Sequence, residues 1–302
     1  MEGSKAKVAL FDDLVFRLFG RLIARQFVVF GGVPTVLARG RALRKKRITP
    51  TYNRIDEHVK TRKRVDEVLL SYLEILANMD QGSHGNLAIK PSAFGIAFGP
   101  FFFARTLHRL IDAAAGKRIE IEVDAEDRET LVSVQSVLSA LQKRLPDGVT
   151  LRPAFQMHLP DQLRRELIEE CGILDMPVRI VKGSGLYNIG APELSNDEVL
   201  ARYYDTFRRQ IARGVYPAAA TVRDAKLLLS IAEMTRAEHV TAEQFSFQFL
   251  DGPFGRSLAR TYAAKGYRVG CYVTFVDPSA PDEWKGYVQR RIAFGRKLLF
   301  GG

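Results

Sequence analysis

The chain has 302 residues, enough to bury one large core, and its 46% hydrophobic content is typical of a globular protein. Its 45 lysines and arginines outnumber its 34 aspartates and glutamates, which gives a formal net charge of +11 and favours anionic partners. The two cysteines, Cys171 and Cys271, exclude a disulfide framework, and the five histidines lack the spacing of zinc ligands.

The order of apolar runs predicts one large α/β domain after an N-terminal helical segment. Residues 1–46 are predicted to be helical, and from 47 to 302 short apolar runs alternate with longer amphipathic ones, such as 62–76, whose apolar residues recur every three or four positions. Strands are predicted near 48–54, 86–91, 118–124, 149–157, 177–182, 217–221, 244–250 and 267–274. Eight strand–helix units predict a closed (β/α)8 TIM-type barrel. A doubly wound sheet is the alternative, but no Gly-x-Gly-x-x-Gly sequence follows the first strand.

In a parallel barrel, the carboxyl ends of the strands carry the chemistry. The predicted strand ends bear polar and charged side chains of both signs: Asn53, Lys90, Asp124, Glu126, Gln156, Arg179, Lys182, Thr221 and Gln248, with Leu250 and Tyr272 beside them. This set contains neither a histidine-based nucleophile nor a metal cluster. Its composition therefore points to a bound cofactor that supplies the reactive group.

A pair of adjacent arginines, Arg290 and Arg291, follows the last predicted strand on a predicted helix. Guanidinium groups bind carboxylates through two parallel hydrogen bonds, so this pair is a candidate carboxylate clamp. A basic pair on the protein surface is the alternative. Lys90, Arg179 and Lys182 also lie at predicted strand ends, and this cationic rim favours an anionic ligand.

An ordered set of segments resembles the proline dehydrogenase family from about residue 27 to the end. Among them are Val178-Arg-Ile-Val-Lys-Gly183, Phe247-Gln-Phe-Leu-Asp-Gly252 and Tyr287-Val-Gln-Arg-Arg291, together with segments 48–59, 88–91, 123–127, 155–156 and 266–272. The resemblance implies a distorted (β/α)8 barrel that holds FAD non-covalently. It also implies oxidation of L-proline to Δ1-pyrroline-5-carboxylate, with transfer of the electrons to a quinone or another acceptor.

The resemblance also implies a role for each matching residue. Lys90, Arg290 and Arg291 would bind the substrate carboxylate, Asp124 would pair with Arg290, and the substrate ring would lie against Leu250, Tyr272 and Tyr287. Arg179 would lie beside the flavin N5. The other cofactor contacts would come from Gln156, Val181, Lys182, Gly183, Thr221 and Gln248.

Several positions depart from the family pattern, and most of them fall on expected cofactor contacts. Val222 stands where the family has a histidine, and Ser246 and Phe294 stand where it has glutamates. These departures predict weaker FAD binding, whereas the residues of the carboxylate clamp are all present.

Two other functions fit the sequence. One is a divergent flavoenzyme that acts on another cyclic amino or imino acid, and the other is a non-catalytic barrel that binds an anionic metabolite. Nucleic acid is a disfavoured partner, because the basic runs 39–47 and 60–64 contain no aromatic residue that could stack on a base. A cytoplasmic location is expected, with peripheral contact with the inner membrane left open.

Overall fold

The computed structural model describes residues 2–183, 194–220, 225–278, 280, 282–290 and 292. Its helices are α1 (Glu2–Phe27), α2 (Val33–Arg44), α3 (Arg62–Asn78), α4 (Pro100–Ala114), α5 (Arg128–Gln142), α6 (Asp161–Glu169), α7 (Asn196–Ala212), α8 (Ala225–Ala237) and α9 (Pro253–Ala264). Residues 284–290 are also helical. Polar caps fix several helix starts: Thr61 accepts a hydrogen bond from the Arg64 amide before α3, and Ser195 forms a capping box with Glu198 before α7.

Eight parallel strands form a closed barrel, as the sequence predicted. They are β2 (Thr49–Arg54), β3 (Asn86–Ile89), β4 (Ile119–Val123), β5 (Val149–Gln156), β6 (Arg179–Val181), β7 (Ala218–Ala219), β8 (Ser246–Leu250) and β9 (Val269–Val276). Each strand pairs with the next along the chain, and β9 pairs with both β8 and β2, which closes the barrel. The predicted (β/α)8 fold is therefore confirmed, and the alternative of a doubly wound sheet is excluded.

A ninth strand, β1 (Val28–Phe30), lies within the segment that was predicted to be wholly helical. It pairs in parallel with residues 274–276 of β9, beyond Tyr272, where the pairing of β9 with β8 stops. The β-branched pair Val28 and Val29 suits this extended backbone. The N-terminal segment thus reaches the carboxyl end of the barrel, where the candidate site lies.

The barrel has an apolar outer layer and a polar interior. Side chains such as Ile121, Phe155 and Ile180 are fully buried in the large core between strands and helices. Residues at alternate positions point into the barrel instead, where Arg152 is 1% exposed and donates hydrogen bonds to Glu120 (3.0 Å) and to the Tyr216 carbonyl (2.7 Å). Charged groups are stable there because they are paired with one another.

A buried ionic cluster ties the loop after β9 to the start of the barrel. Arg54, only 1% exposed, donates hydrogen bonds to Asp56 (2.6 Å), Asp277 (3.1 Å) and Ser71. The helix of residues 284–290 follows this loop, and its Trp284 packs 5.7 Å from Phe16 of α1, measured between ring centres. These contacts position the helix that carries Arg290.

Within the described ranges, no helix is long and apolar enough to cross a membrane. The same part of the chain contains no cluster of histidine, cysteine and acidic side chains that could hold a metal ion.

Candidate active site

A buried carboxylate, Glu122 of β4, lies at the centre of the barrel interior. It is fully buried and accepts hydrogen bonds from the Tyr272 hydroxyl and from Nε2 of Gln248 at 2.7 Å. Nε of Arg179 lies 3.6 Å from its other oxygen. Burial raises the pKa of Glu122, and the nearby Arg179 opposes that shift. Sequence analysis did not select Glu122, although the Ile-Glu-Ile-Glu-Val alternation of β4 places it on the same inward face as Asp124.

Arg179 of β6 spans the barrel interior and contacts three other predicted site residues. Its guanidinium carbon lies 4.2 Å from the centre of the Tyr272 ring. It donates to Gln248 Oε1 at 3.1 Å and to Asp124 Oδ1 at 3.1 Å. The sequence predicted that Asp124 would pair with Arg290, and that prediction is wrong in this structure. Asp124 binds Arg179 instead, because both side chains point inward from the same end of the barrel.

The predicted carboxylate clamp already holds a carboxylate of the protein. One nitrogen of Arg290 donates to both carboxylate oxygens of Glu57, at 2.6 and 2.7 Å. The ammonium group of Lys90 lies 3.7 Å from the same carboxylate and 3.5 Å from Asn53 Oδ1. Lys90 and Arg290 therefore converge on one anionic group at the barrel mouth, whereas Arg291 lies outside the described residues. Glu57 was missed because it follows β2 in a loop, where no periodic pattern assigns it a direction.

A second acidic group, Glu126, lies behind the clamp. It is 7% exposed and accepts hydrogen bonds from the backbone amide and the hydroxyl of Ser92, at 2.8 and 2.9 Å. Burial raises the pKa of Glu126 to about 7, although the nearby Lys90 opposes the shift. A carboxyl group with this pKa changes its charge near neutral pH.

The ends of β5 and β6 form the predicted cofactor side of the mouth. Nε2 of Gln156 donates to the Ala125 carbonyl at 3.0 Å, whereas its buried Oε1 has no hydrogen-bond partner among the described residues. Lys182 donates to Asn196 at 2.7 Å. Gly183 adopts φ +84°, and a side chain at this position would overlap the ring of His158. Glycine alone allows this approach between the backbone and the histidine.

The remaining predicted residues have less specific surroundings. Val181 lies at the end of β6, where its carbonyl accepts a hydrogen bond from the Met157 amide at 2.9 Å. Leu250 is half-buried and pairs in register with Tyr272. Tyr287 is 8% exposed and packs in a small apolar cluster with Trp284. Thr221, Val222 and Phe294 lie outside the described residues.

The polar groups at this mouth fit FAD. Gln156 offers a buried carbonyl oxygen that has no partner in the described part of the chain. Gly183 lets the ring of His158 pack against the backbone at the end of β6. Arg179, fixed by Asp124 and Gln248, supplies a cation that would stabilise negative charge on a reduced flavin.

Comparisons with known proteins support this architecture. No family model and no curated protein matches the chain. Among solved structures, proline utilization A from Bdellovibrio bacteriovorus, inactivated by N-propargylglycine, matches with a TM-score of 0.73 and 18% identity, over 89% of this chain and 32% of that chain. A D779Y mutant of proline utilization A from Bradyrhizobium japonicum matches with a TM-score of 0.69 and 19% identity, over 93% and 31%.

A third structure of proline utilization A, with proline bound in remote sites, has a TM-score of 0.69 and 18% identity, over 88% of this chain and 30% of that chain. The chain thus spans about a third of the length of these proteins. At this level of sequence identity, the structural similarity is evidence for the fold alone. The fold implied by the resemblance to proline dehydrogenases is confirmed, and this chain is a (β/α)8 barrel similar in structure to part of proline utilization A.

Proposed function

We propose that this barrel is a flavin-dependent dehydrogenase that oxidises L-proline to Δ1-pyrroline-5-carboxylate. The observation that carries the proposal is the convergence of Lys90 and Arg290 on one carboxylate, at the end of a barrel whose interior holds Arg179. The likeness to proteins named for proline utilization supports proline as the substrate.

The substrate carboxylate would take the place of Glu57 between Lys90 and Arg290. A small ring offers little apolar area, so its fixed negative charge is the strongest feature that a site can recognise. Glu57 satisfies Arg290 in the absence of substrate, which avoids an unpaired cation at a half-buried position.

Arg179 would be held in place by the groups that surround it. Asp124 and Gln248 bind its guanidinium, the Tyr272 ring lies against its face, and the Tyr272 hydroxyl is in turn fixed by Glu122. Such a preorganised cation requires no rearrangement when negative charge develops nearby. Its position therefore favours two-electron reduction of a bound flavin.

Bound FAD would supply the acceptor for the hydride that leaves the ring carbon next to nitrogen that does not bear the carboxylate. Loss of this hydride and of one proton from the ring nitrogen forms the carbon–nitrogen double bond of the product. The clamp residues would hold the substrate by its carboxylate, which lies on the other side of the ring nitrogen, and so would determine which carbon approaches the cofactor.

The electrons would pass to an acceptor such as a quinone, through peripheral contact with a membrane. Helix α1 presents Leu14, Leu18 and Leu22 on one exposed stripe, each more than half exposed, with Arg21 and Arg25 beside them. A helix with exposed leucines and arginines suits the surface of an anionic membrane. This arrangement also agrees with a cytoplasmic protein that associates reversibly with the inner membrane.

A substrate panel tests the proposed reaction. The FAD-supplemented protein is assayed with an artificial electron acceptor, and the cyclic imine is trapped with an aromatic amino-aldehyde. L-Proline should give the proline-derived imine. Arg290→Met should lower kcat/KM by tens to thousands of fold, in line with about 2–5 kcal/mol for a charge pair that becomes buried when the substrate binds. Turnover of a different cyclic amino acid alone would favour the altered-substrate alternative. Binding of proline without any turnover would favour the non-catalytic barrel.

A further inference from the structure

His158, immediately beyond β5, makes one hydrogen bond that determines the chemistry of its other nitrogen. Its Nδ1 lies 3.0 Å from the Lys182 carbonyl oxygen. Its Nε2 is buried and has no hydrogen-bond partner in the part of the chain that the structure describes. The residue was not selected from the sequence, because it follows the strand in a turn.

The Lys182 carbonyl fixes the tautomer of His158. A carbonyl oxygen can only accept a hydrogen bond, so Nδ1 carries the hydrogen and donates it. In the neutral ring, Nε2 then carries a lone pair and acts as an acceptor. A buried acceptor without a hydrogen-bond partner lowers the stability of the protein. A ligand that donates a hydrogen bond to this nitrogen would remove that penalty.

A second acceptor lies next to the first. Gln156 donates from Nε2 to the Ala125 carbonyl, so its Oε1 is the end that accepts, and this oxygen also has no partner among the described residues. Both His158 and Gln156 border Gly183, where a side chain would contact the histidine ring and Oε1 of Gln156. The ring of His158 and Oε1 of Gln156 therefore lie side by side against the Gly183 backbone, at the predicted cofactor side of the mouth.

Two cationic side chains of this region, Lys182 and Arg202, have partners of their own. Lys182 donates to Asn196 at 2.7 Å, and Arg202 donates to the carbonyl of Leu159 at 2.7 Å and to Asp161 at 2.6 Å.

We infer that His158 is a flavin-binding residue whose Nε2 accepts a hydrogen bond from the flavin, beside the carbonyl oxygen of Gln156. Flavin offers two kinds of donor to such a pair, the imide N–H of the ring and the hydroxyl groups of the ribityl chain. This inference rests on the proposed function, because it assumes that FAD occupies the mouth of the barrel.

Two substitutions separate the hydrogen bond from simple packing. His158→Asn keeps a donor near the position of Nδ1 but has no group at the position of Nε2, whereas His158→Gln places an amide oxygen near that position. FAD affinity is measured by titrating the apoprotein with FAD and following flavin fluorescence, and circular dichroism verifies folding. His84→Asn is the matched control, because His84 also contacts a carbonyl, that of Lys117, on the exposed surface.

His158→Asn should weaken FAD binding by about 3- to 30-fold, whereas His158→Gln should retain most of the affinity and His84→Asn all of it. Equal affinity of all variants, or an equal loss in both His158 variants, would overturn the inference. A wild-type protein that binds no FAD would overturn the proposed function as well, so the two failures are distinguishable.

Repeating the titration with FAD methylated at N3 identifies the donor. If Nε2 accepts from the imide, N3 methylation should weaken binding to the wild-type protein but add little to the effect of His158→Asn. If Nε2 accepts from a ribityl hydroxyl, methylation should change the affinities of wild type and His158→Asn by the same factor. A stronger penalty for methylation in His158→Asn than in the wild type would contradict both assignments.

Discussion

Replacing Glu57 with glutamine should tighten the binding of a carboxylate ligand. Glu57 binds Arg290 through both of its oxygens and lies 3.7 Å from Lys90, so a substrate carboxylate must compete with it for the same two cations. Glutamine has nearly the same shape but carries no charge. The variant therefore keeps the packing of the mouth and removes the competitor.

The size of the effect follows from the exposure of the pair. The side chain of Arg290 is 35% exposed and that of Glu57 is 17% exposed, so solvent screens part of their attraction. Exposed pairs contribute up to about 1 kcal/mol, and this half-buried pair should lie at or slightly above that value. A change of about 1 kcal/mol corresponds to roughly a fivefold decrease in the Kd of the ligand.

The ligand is a proline analogue that has oxygen in place of the ring nitrogen and therefore cannot form the imine. Its Kd is measured from the change that it causes in the flavin absorption spectrum. Glu238→Gln is the control, because Glu238 forms a comparable ion pair with Arg208 (2.8 Å) between α7 and α8, away from the strand ends. Unchanged or weaker binding in Glu57→Gln would refute the reasoning that Glu57 competes with the substrate.

Three further outcomes follow from the structure. Asp124→Asn should lower the reduction potential of the bound flavin, because Asp124 holds Arg179, and should change the substrate Kd less than Arg290→Met does. Potentiometry measures the first effect and ligand titration the second. A larger change of substrate Kd in Asp124→Asn than in Arg290→Met would instead support a pair between Asp124 and Arg290. Gly183→Ala should reduce FAD affinity at least tenfold, since the added methyl group meets His158 and φ is +84°; retained affinity in a fluorescence titration would be inconsistent with this packing. Glu126 has a folded pKa of about 7 against a reference of 4.5, so its contribution to the unfolding free energy should fall by about 3 kcal/mol as pH rises from about 4.5 to 7. In urea unfolding, the difference in unfolding free energy between wild type and Glu126→Gln should shift by this amount over that range, and a difference that does not change with pH would contradict it.

The barrel was predictable because its strands are local patterns. The alternation of β4 and the apolar run of β9 mark these strands without reference to the rest of the chain. β1 was not predictable, since three residues beside a long helix become a strand only through their pairing with the carboxyl end of β9. That pairing depends on closure of the barrel, which no local sequence pattern encodes.

The candidate site was predictable in its residue types but only partly in its pairings. Lys90 and Arg290 do converge on a carboxylate, yet the sequence did not indicate that Glu57 provides it. Asp124 was assigned to the wrong arginine. Its position at a strand end predicts which region of the barrel its side chain occupies, but the choice between Arg179 and Arg290 depends on how far each long side chain reaches across the interior. His158 and Glu57 lie in turns beyond strand ends, where periodicity gives no direction.

The most direct test of the account is the absorption spectrum of the FAD-loaded protein before and after anaerobic addition of L-proline. Oxidised flavin has an absorption band at ~450 nm, and this band disappears when the cofactor takes up a hydride. The account predicts that L-proline bleaches the band and that Arg290→Met retains the flavin but bleaches it at least about tenfold more slowly at low proline concentration. A protein that binds no FAD, or a flavin band that L-proline leaves unchanged, would contradict it.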